Sequence, residues 1–346
     1  MLRMLSRGQA MILTLCLALA CAWAAYAPER PPSGAAAQGS TYSDLKLYHD
    51  VAARVAAGDD YYAAATELHR AHGFPTRPFI TIRPPTLAHL GAVFGWQKLQ
   101  YLLGAFLLAA AMLCYHAFRL ANLAERIAVA VFVLAGGAMA SRTFLVAQHE
   151  LWAGLLLALA LPLVGSRHWI WALLFAAGAL AIRELALPFV LLALAFAVVR
   201  KRWPEAAGWS ALALVFAGAM AAHAATVSAH ALPGDLPSQG WDGLRGALAP
   251  LRDLVDVSLL NRLPASLAAP AALLALLGWA AAPVRQACFA LLWFLGYALM
   301  LALFARGQNF YWAIVLLPAW FIGFAFLPRA LIQLTHAMLA SRRSAL

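Results

Sequence analysis

The stretch RKRWPEAAGWSALALVFAGAMAAHAAT, from Arg200 to Thr226, places three cations before a long apolar run at 206–226. A helix needs about 20 mostly apolar residues to cross a hydrocarbon core of about 30 Å, and this run is long enough. A cluster of cations is typical of the cytoplasmic end of such a span. The stretch therefore predicts a membrane-spanning helix that begins at the cytoplasmic side.

The same pattern recurs along the whole chain. Hydrophobic residues make up 64% of the 346 residues and charged residues 11%, and the mean hydropathy is +0.77. A water-soluble chain could not bury so much apolar surface. We predict an all-α polytopic membrane protein with about ten transmembrane helices, at 8–27, 99–118, 127–141, 151–165, 168–182, 185–199, 206–226, 265–282, 286–304 and 311–327.

The first apolar run follows Arg3 and Arg7, a pattern shared by cleaved signal peptides and uncleaved anchors. We expect an uncleaved anchor, because the first span sets the orientation of a polytopic chain, and cleavage stays open as the alternative. Five segments follow from the apolar runs. They are a first transmembrane anchor at 1–27, a first periplasmic loop at 28–98, spans two to seven at 99–226, a second periplasmic loop at 227–264, and the last three spans with a cytoplasmic tail at 265–346.

The charges predict the orientation of the chain. With the N-terminus inside, the cytoplasmic segments carry 12 basic and 2 acidic residues, or +10, and the outer segments carry 13 basic and 12 acidic residues, or +1, which recovers the formal +11. This bias predicts a multi-pass protein of the bacterial inner (cytoplasmic) membrane with both termini cytoplasmic and its active site facing the periplasm. Topology and attraction to anionic lipids explain the basic balance, so no nucleic-acid partner is expected.

The first predicted loop contains the stretch DLKLYHDVAARVAAGDDYY, with four aspartates at 44–62. Spacings of three and four residues connect Asp44, Tyr48, Val51 and Val55, which predicts an amphipathic helix with Asp44 at the head of its apolar face. A second helical run follows Gly58, a plausible helix stop. Amphipathic helices are therefore expected between the first two spans.

The four aspartates have different expected roles. Lys46, Asp50 and Arg54 recur every four residues, which is typical of a solvated lane of paired charges. Each aspartate of the pair at 59–60 precedes a helical run and is a natural N-cap. Elimination leaves Asp44 as the candidate for chemistry, with N-capping as its own structural alternative.

Polar side chains also stand at the predicted borders of the bilayer, where ionisable groups usually face a polar cavity. These are Arg83 beside Pro84-Pro85, His149-Glu150, Arg183-Glu184, and Arg306 with Asn309. A guanidinium at that depth suits a phosphate group. The structural alternatives are a self-paired turn for Arg183-Glu184 and a helix cap for Glu150. His149 with Glu150 suits a divalent ion, although no third ligand is placed by the sequence.

The order of these features resembles a known family. The first predicted loop contains, in this order, Asp44-Leu45-x-x-Tyr48, Gly58, Tyr61-Tyr62, and Arg-Pro-Pro at 83–85 before the second span. This order is similar to that found in the integral-membrane glycosyltransferases of the GT-C superfamily. The similarity is strongest to the bacterial polyprenol-phosphate-mannose-dependent mannosyltransferases and covers about residues 43–90. The family often has a tyrosine in place of Arg83, and many members carry an extra soluble domain, which we expect this chain not to have.

The resemblance implies a membrane glycosyltransferase of GT-C fold that moves a sugar, a hexose such as mannose, from a polyprenyl-phosphate donor to an acceptor with inversion. It implies Asp44 as the catalytic base. With the residues above, we expect Arg83, Arg183 and Arg306 to bind the donor phosphate, Glu150, Glu184 and His149 to hold an acceptor or a metal, and Tyr48 and Asn309 to support them. The expected partners are membrane lipid, a lipid-linked sugar, and a glycan, lipid or protein acceptor.

Other functions remain open at the level of sequence. A flippase or transporter of lipid-linked glycans would need charged residues deep within several spans, and the predicted span interiors carry few. A non-catalytic partner in envelope polysaccharide assembly is a further alternative. A polymerase or ligase of lipid-linked glycans is a third, because the loop at 227–264 contains Arg245, Arg252 and Arg262.

Overall fold

A computed structural model describes residues 2–26, 43–238, 240 and 244–339. These residues form helices and no β-strand, as predicted; their one isolated bridge joins Arg77 and Pro237. The helices are α1 Arg7–Tyr26, α2 Asp44–Ala56, α3 Tyr61–Ala71, α4 Thr86–Phe94, α5 Trp96–Ala117, α6 Leu123–Gly136, α7 His149–Ala160, α8 Trp169–Ile182, α9 Leu187–Val199, α10 Trp203–Ala229, α11 Ala249–Asp256, α12 Ala265–Ala281, α13 Ala287–Phe304, α14 Leu317–Trp320, α15 Ile322–Ala325 and α16 Leu327–Leu339.

The apolar helices fall into two length classes. Five described helical segments are long and apolar enough to cross a membrane, namely Arg7–Tyr26, Trp96–Ala117, Trp203–Ala229, Ala287–Phe304 and Gly307–Ala325. Four more are apolar but shorter, namely His149–Leu163, Trp169–Ile182, Glu184–Val199 and Ala265–Ala281. Membrane-protein character follows from these helices, whereas the predicted count of about ten spans does not.

Turns inside the apolar runs limit the shorter helices. α6 has 14 residues, so it rises about 21 Å, less than the roughly 30 Å of a hydrocarbon core. The predicted run at 127–141 continues past the end of α6 at Gly136 into a separate 3₁₀ helix at Ala138–Ser141. α8 likewise ends at Ile182, where Arg183 adopts an extended backbone. Apolar composition alone therefore overstates the length of the continuous helices.

Two compact units make up the chain. The terminal unit comprises Met1–Ser33, Ala109–Gly137 and Gly243–Leu346, and the loop unit comprises Gly34–Leu108 and Ala138–Asp242. Each unit is discontinuous in sequence, so neither corresponds to one of the five predicted segments. The predicted linker at 28–40 and the cations Arg342 and Arg343 lie outside the described residues.

Close backbone contact holds the terminal unit together. A Cβ atom added to Gly278 of α12 would overlap the carbonyl of Gly323 in α15, and one added to Gly323 would overlap the carbonyl of Ala275. Two indoles brace this contact, because Trp279 Nε1 donates to the Ala319 carbonyl at 3.1 Å and Trp320 Nε1 donates to the Ala272 carbonyl at 2.9 Å. Small residues at such a crossing are what allow membrane helices to pack closely.

A second glycine contact and an ion pair attach α6 to the same unit. A Cβ on Gly136 would lie 2.6 Å from the carbonyl oxygen of Leu317, so Gly136 is a packing residue. At the other end of α6, Asn122 and Glu125 form a capping box. Arg329 of α16 donates to both carboxylate oxygens of Glu125, at 2.7 and 2.5 Å. Both ends of α6 are thus fixed by specific contacts.

In the loop unit, the predicted amphipathic helices are present as α2 and α3. Their apolar faces meet in a core with α4 and the end of α10, built from Leu47, Val51, Ala52, Tyr61, Ala65, Ile82, Ala88 and Val227. α2 therefore packs against protein along the face that begins at Asp44. Burial of this face, more than helix propensity, explains why two short helices are stable here.

The aspartates of the first loop differ in part from their predicted roles. Lys46 and Asp50 form the expected pair at 2.7 Å, but the predicted lane does not continue, because Arg54 binds Asp59 and Glu67 instead. Asp60 caps α3 by accepting from Ala63 N at 2.9 Å. Of the two neighbouring aspartates, one is therefore a cap and the other an ion-pair partner.

Asp235 anchors the chain after α10 to α3 and to the segment that follows it. Its carboxylate accepts from Arg70 Nε at 2.6 Å, from Arg70 Nη2 at 3.1 Å and from Leu232 N at 2.9 Å. Leu236 O accepts from Thr76 N at 3.1 Å, which extends the attachment along the backbone. The Asp235 side chain is 1% exposed, and the hydrogen bonds from Arg70 hold its pKa well below the usual range.

Replacing Asp235 by Asn should therefore destabilise the loop unit by roughly 1.5–3 kcal/mol at neutral pH, the range for hydrogen bonds to a charged group. A lowered folded-state pKa gives stability that is present above the unfolded pKa of about 3.9 and is lost as the pH falls below it. Thermal unfolding of the detergent-solubilised protein at pH 7, 5 and 3 measures both effects. Asn should lower the midpoint at pH 7 and weaken the decline toward pH 3.

The matched control is Asp50→Asn, which removes a pair with Lys46 whose side chains are 51% and 35% exposed. Exposed pairs at this helical spacing contribute only about 0.3–0.5 kcal/mol. Equal losses for the two variants would contradict the anchoring role of Asp235.

Candidate functional site

Tyr48 lies at the centre of the predicted site residues in the loop unit. Its hydroxyl accepts a hydrogen bond from Arg83 Nε at 3.1 Å, and its ring contacts that of His149 edge to face, with centroids 4.6 Å apart. Burial raises the pKa of Tyr48 to about 12, while the charge of Arg83 opposes this shift and that of Asp44 adds to it. Tyr48 is thus protonated at neutral pH and can donate its own hydrogen to a further acceptor.

Arg83 is held from both its backbone and its side chain. Tyr61 Oη donates to the Arg83 carbonyl at 2.6 Å, and His223 Nε2 lies 3.0 Å from the Ile82 carbonyl. A carbonyl only accepts, so Nε2 carries the proton; Nδ1, 3.1 Å from Tyr62 Oη, can then accept from that hydroxyl. These contacts fix the position from which the Arg83 guanidinium extends toward Tyr48.

A buried ion network lies beside Tyr48. Arg183 Nε binds Glu150 Oε1 at 2.7 Å and Arg183 Nη1 binds Glu184, while Gln148 Nε2 donates to the second oxygen of Glu150. The Arg183 side chain is 0% exposed and that of Glu150 1% exposed. A buried charge needs such partners, because an isolated ion in a low-dielectric interior is very costly.

The structure therefore brings together seven of the nine predicted site residues. The charges of Asp44, Glu150, Arg83 and Arg183 all act on Tyr48. Those of Arg83 and Arg183 also act on His149 and Glu184. These residues come from α2, the 83–85 corner, the start of α7 and the turn before α9, which are far apart in sequence. Their convergence is a property of the fold and not of any local motif.

The two carboxylates predicted to hold an acceptor or a metal are in direct contact with an arginine of the protein itself. Glu150 and Glu184 both bind Arg183, and the described part of the chain contains no group of three His, Cys, Asp or Glu side chains arranged to hold a metal ion. Arg183, predicted as a phosphate ligand, is fully buried between these carboxylates. Its placement favours a positioning role, whereas Arg83 is only partly buried.

A pocket opens next to this cluster, and about 330 Å³ of space free of protein atoms, open solvent included, lies within its outline. Apolar and aromatic side chains dominate its wall and a few polar groups converge on it, which is the usual composition of a ligand site. The lining residues are Tyr48, Val51, Tyr61, Ala65, His69, Arg83, Leu87, Ala88, Trp96 and His149. Tyr48, Arg83 and His149 thus belong both to the charged cluster and to the pocket.

Several of these functional side chains were not predicted as site residues. Burial lowers the pKa of His69 to about 4, so this pocket residue is a neutral imidazole at pH 7. Trp96 lies at the end of the predicted first loop, just before the span at 99–118, and His223 lies inside an apolar helix, where an ionisable group is itself a signal of function. Tyr61 belonged to the family-like motif but had no assigned role.

Arg306 and Asn309 belong to the terminal unit. Arg306 precedes the 3₁₀ helix Gly307–Leu316 and is partly buried. Asn309 is buried at a kink in that helix, with φ −90° and ψ 16°. Phosphate binding by Arg306 and support from Asn309 stay predictions.

Comparison with protein-family models, with curated proteins and with solved structures finds no match for this chain. Asp44 is partly buried, close enough to act on Tyr48, and so lies with Arg83 at one site. A carboxylate, a fixed guanidinium and a neutral phenol beside a pocket can accept a proton, stabilise an anion and donate a hydrogen bond.

Proposed function

We propose that this protein is a membrane glycosyltransferase of GT-C type that transfers a sugar from a polyprenyl-phosphate donor to an acceptor. The observation that carries the proposal is the convergence of Asp44, Tyr48 and Arg83 with the buried Glu150–Arg183–Glu184 network beside a pocket. Group transfer from a lipid phosphate needs one group to accept a proton and another to stabilise the departing phosphate. The cluster offers both.

In the proposed step, the acceptor hydroxyl oxygen attacks the anomeric carbon of the donor sugar. The bond from that carbon to the phosphate oxygen breaks, and its electron pair leaves with the polyprenyl phosphate. The hydroxyl proton passes to the Asp44 carboxylate, and the anomeric configuration inverts because attack and departure are in line. Arg83 stabilises the negative charge that develops on the leaving phosphate.

The remaining residues support these two groups. Tyr48 accepts a hydrogen bond from Arg83, lines the pocket, and keeps its own hydroxyl hydrogen for a further acceptor. Arg183 positions Glu150 and Glu184 through direct contacts, and its charge also acts on His149. Acceptor binding by Glu150, Glu184 or His149 remains part of the proposal. So do phosphate binding by Arg306, the count of about ten spans, and a periplasm-facing site in the bacterial inner membrane.

The test is transfer of label from a panel of polyprenyl-phosphate sugars in host-derived membranes that contain the native acceptor. Membranes with the wild-type protein should transfer label from at least one donor and release polyprenyl phosphate in equal amount. Matched membranes without the protein should not. If donor and label remain intact across the panel while the folded protein is present, the glycosyltransferase proposal fails, and glycan transport or assembly becomes the better explanation.

A further inference from the structure

A row of three aromatic rings leads from the pocket toward the surface of the loop unit. Trp96 lines the pocket, and its ring meets His49 edge to face with centroids 4.7 Å apart. The His49 ring stacks on Phe144, with centroids 5.3 Å apart and an interplanar angle of 13°. Phe144 is 54% exposed. The row thus connects the wall of the pocket with an exposed ring.

The backbone fixes the rings of this row. The Trp96 indole lies over Gly91 of α4, where a Cβ atom would come within 2.7 Å of the ring. Any larger residue at 91 would displace the indole. At the centre of the row, His49 Nε2 lies 3.1 Å from the Phe144 carbonyl. This carbonyl can only accept, so Nε2 carries the hydrogen, and in the neutral ring Nδ1 can accept from a ligand hydroxyl.

Amide and hydroxyl side chains border the same region. Gln97 Nε2 donates to Gln100 Oε1 at 3.2 Å, and Thr143 Oγ1 donates to the same oxygen at 2.5 Å. Gln100 Nε2 in turn donates to the Ser141 carbonyl at 2.7 Å. Gln97 directly follows Trp96 and Thr143 directly precedes Phe144, while Gln100 lies one turn further along α5 and Ser141 two residues before Thr143. The row therefore has neutral hydrogen-bonding groups at its side, and the charged residues nearest to it in sequence are Asp50, Lys98 and Arg142.

The combination of stacked aromatic rings with neighbouring amide and hydroxyl groups distinguishes the row from an interfacial aromatic belt. Belt tryptophans present their rings to lipid, as suits Trp171 and Trp203, which are 58% and 62% exposed. Trp96 is only partly buried by protein and faces a pocket. Fixed aromatic faces bind the apolar faces of a ligand, and neighbouring amides and hydroxyls bind its polar edge. Sugar rings present both kinds of surface.

We propose that Trp96, His49 and Phe144 form the binding row for a glycan acceptor, with one sugar ring on Trp96 in the pocket and the next toward Phe144. The proposal rests on the glycosyltransferase function and names its acceptor class as a glycan rather than a protein or lipid. An acceptor hydroxyl on the sugar at Trp96 would then lie beside Tyr48, which lines the same pocket.

The experiment measures binding to an array of immobilised oligosaccharides of bacterial envelopes, including oligomannosides. The detergent-solubilised full-length chain carries Asp44→Asn, so that no bound glycan is modified. We expect binding to at least one glycan, weakened roughly tenfold or more by Trp96→Ala and several-fold by Phe144→Ala. Trp96→Phe keeps a ring and should stay within about threefold, which separates stacking from loss of fold. Trp171→Ala and Phe304→Ala, at rings 58% and 46% exposed, are the controls and should bind as the parent does.

Three outcomes overturn the row as a glycan site. The first is no binding to any glycan, and the second is equal binding by the Trp96→Ala and Trp171→Ala variants. The third is that Trp96→Ala weakens binding to vesicles that contain polyprenyl phosphate but leaves binding to glycans unchanged. The glycan array tests the binding row and the donor panel tests the glycosyltransferase function, so the two proposals can fail independently. Glycan binding without transfer from any donor would reject the glycosyltransferase and keep the row, while transfer that Trp96→Ala leaves unchanged would reject the row and keep the glycosyltransferase.

Discussion

Asp44→Asn should lower sugar transfer by about 10²–10⁴-fold, the usual contribution of a positioned general base. Asn has nearly the same shape as Asp but cannot accept the acceptor proton in the transition state. The loss should therefore fall on the rate of transfer, while retention of the labelled donor by the membranes remains near the wild-type level. Transfer rate and donor binding, measured on the same membranes, separate the two effects.

The fold should tolerate this change. Ser43 is the N-cap of α2, and its hydroxyl accepts from Lys46 N at 3.3 Å, so Asp44 is the first helical residue and not the cap. An acidic residue in the first turn stabilises a helix by only about 0.3–1 kcal/mol. The structural alternative of N-capping is thereby assigned to Ser43, and a large loss of transfer would report chemistry.

Asp50→Asn is the matched control, because Asp50 lies on the same helix and pairs with Lys46. Its transfer rate should remain within about twofold of wild type, since the pair is exposed and contributes little. Equal loss in the two variants, at equal protein level, would contradict Asp44 as the base.

Arg183→Met should destabilise the protein by about 3–5 kcal/mol, the range found when one partner of a buried pair is removed. The change leaves Glu150 and Glu184 side by side without their shared cation, and Glu150 is 1% exposed. Methionine fills similar volume, so the loss would reflect charge and not a cavity. The yield of folded protein and its thermal midpoint in detergent are the measurements.

Arg54→Met is the control for that variant, because Arg54 also binds two carboxylates, those of Asp59 and Glu67. There the side chains are 39%, 38% and 65% exposed, and the expected loss is much smaller, because solvent screens the interaction of exposed charges. Adding Glu150→Gln to Arg183→Met should recover part of the loss, since one uncompensated charge is removed. No difference between Arg183→Met and Arg54→Met would show that burial of the network has little energetic importance.

The sequence predicts most of the helices because apolar periodicity is a local signal. α2 begins at Asp44 and α10 covers the run at 206–226, both as expected. The lengths of the shorter apolar helices were less predictable, because a run of apolar residues continues across a turn such as 136–138 without any change in composition. The pairing of Arg54 with Asp59 and Glu67 depends on tertiary approach, which helical spacing cannot show.

The candidate site was predictable as a set of residue types but not as an arrangement. Asp44, Arg83 and the 149–150 and 183–184 pairs each stood out as polar groups in apolar surroundings. Their convergence on Tyr48 depends on how α2, α7 and α9 pack within the loop unit, and so does the burial of Arg183. The anchoring of Ile82 by His223, a contact across 141 positions, has no local signal beyond a histidine in an apolar helix.

The contact of Gly278 with Gly323 has a practical consequence for handling the protein. Inside a bilayer or a micelle the surroundings are as apolar as the side chains. Burial of apolar surface between helices therefore stabilises their association little, and the helices rely on close packing. Backbones that touch through two glycines, with Trp279 and Trp320 bonded across them, do not depend on which amphiphile surrounds them. We therefore expect the terminal unit to stay folded when the detergent is changed. The stability of the loop unit is the property by which a detergent should be chosen.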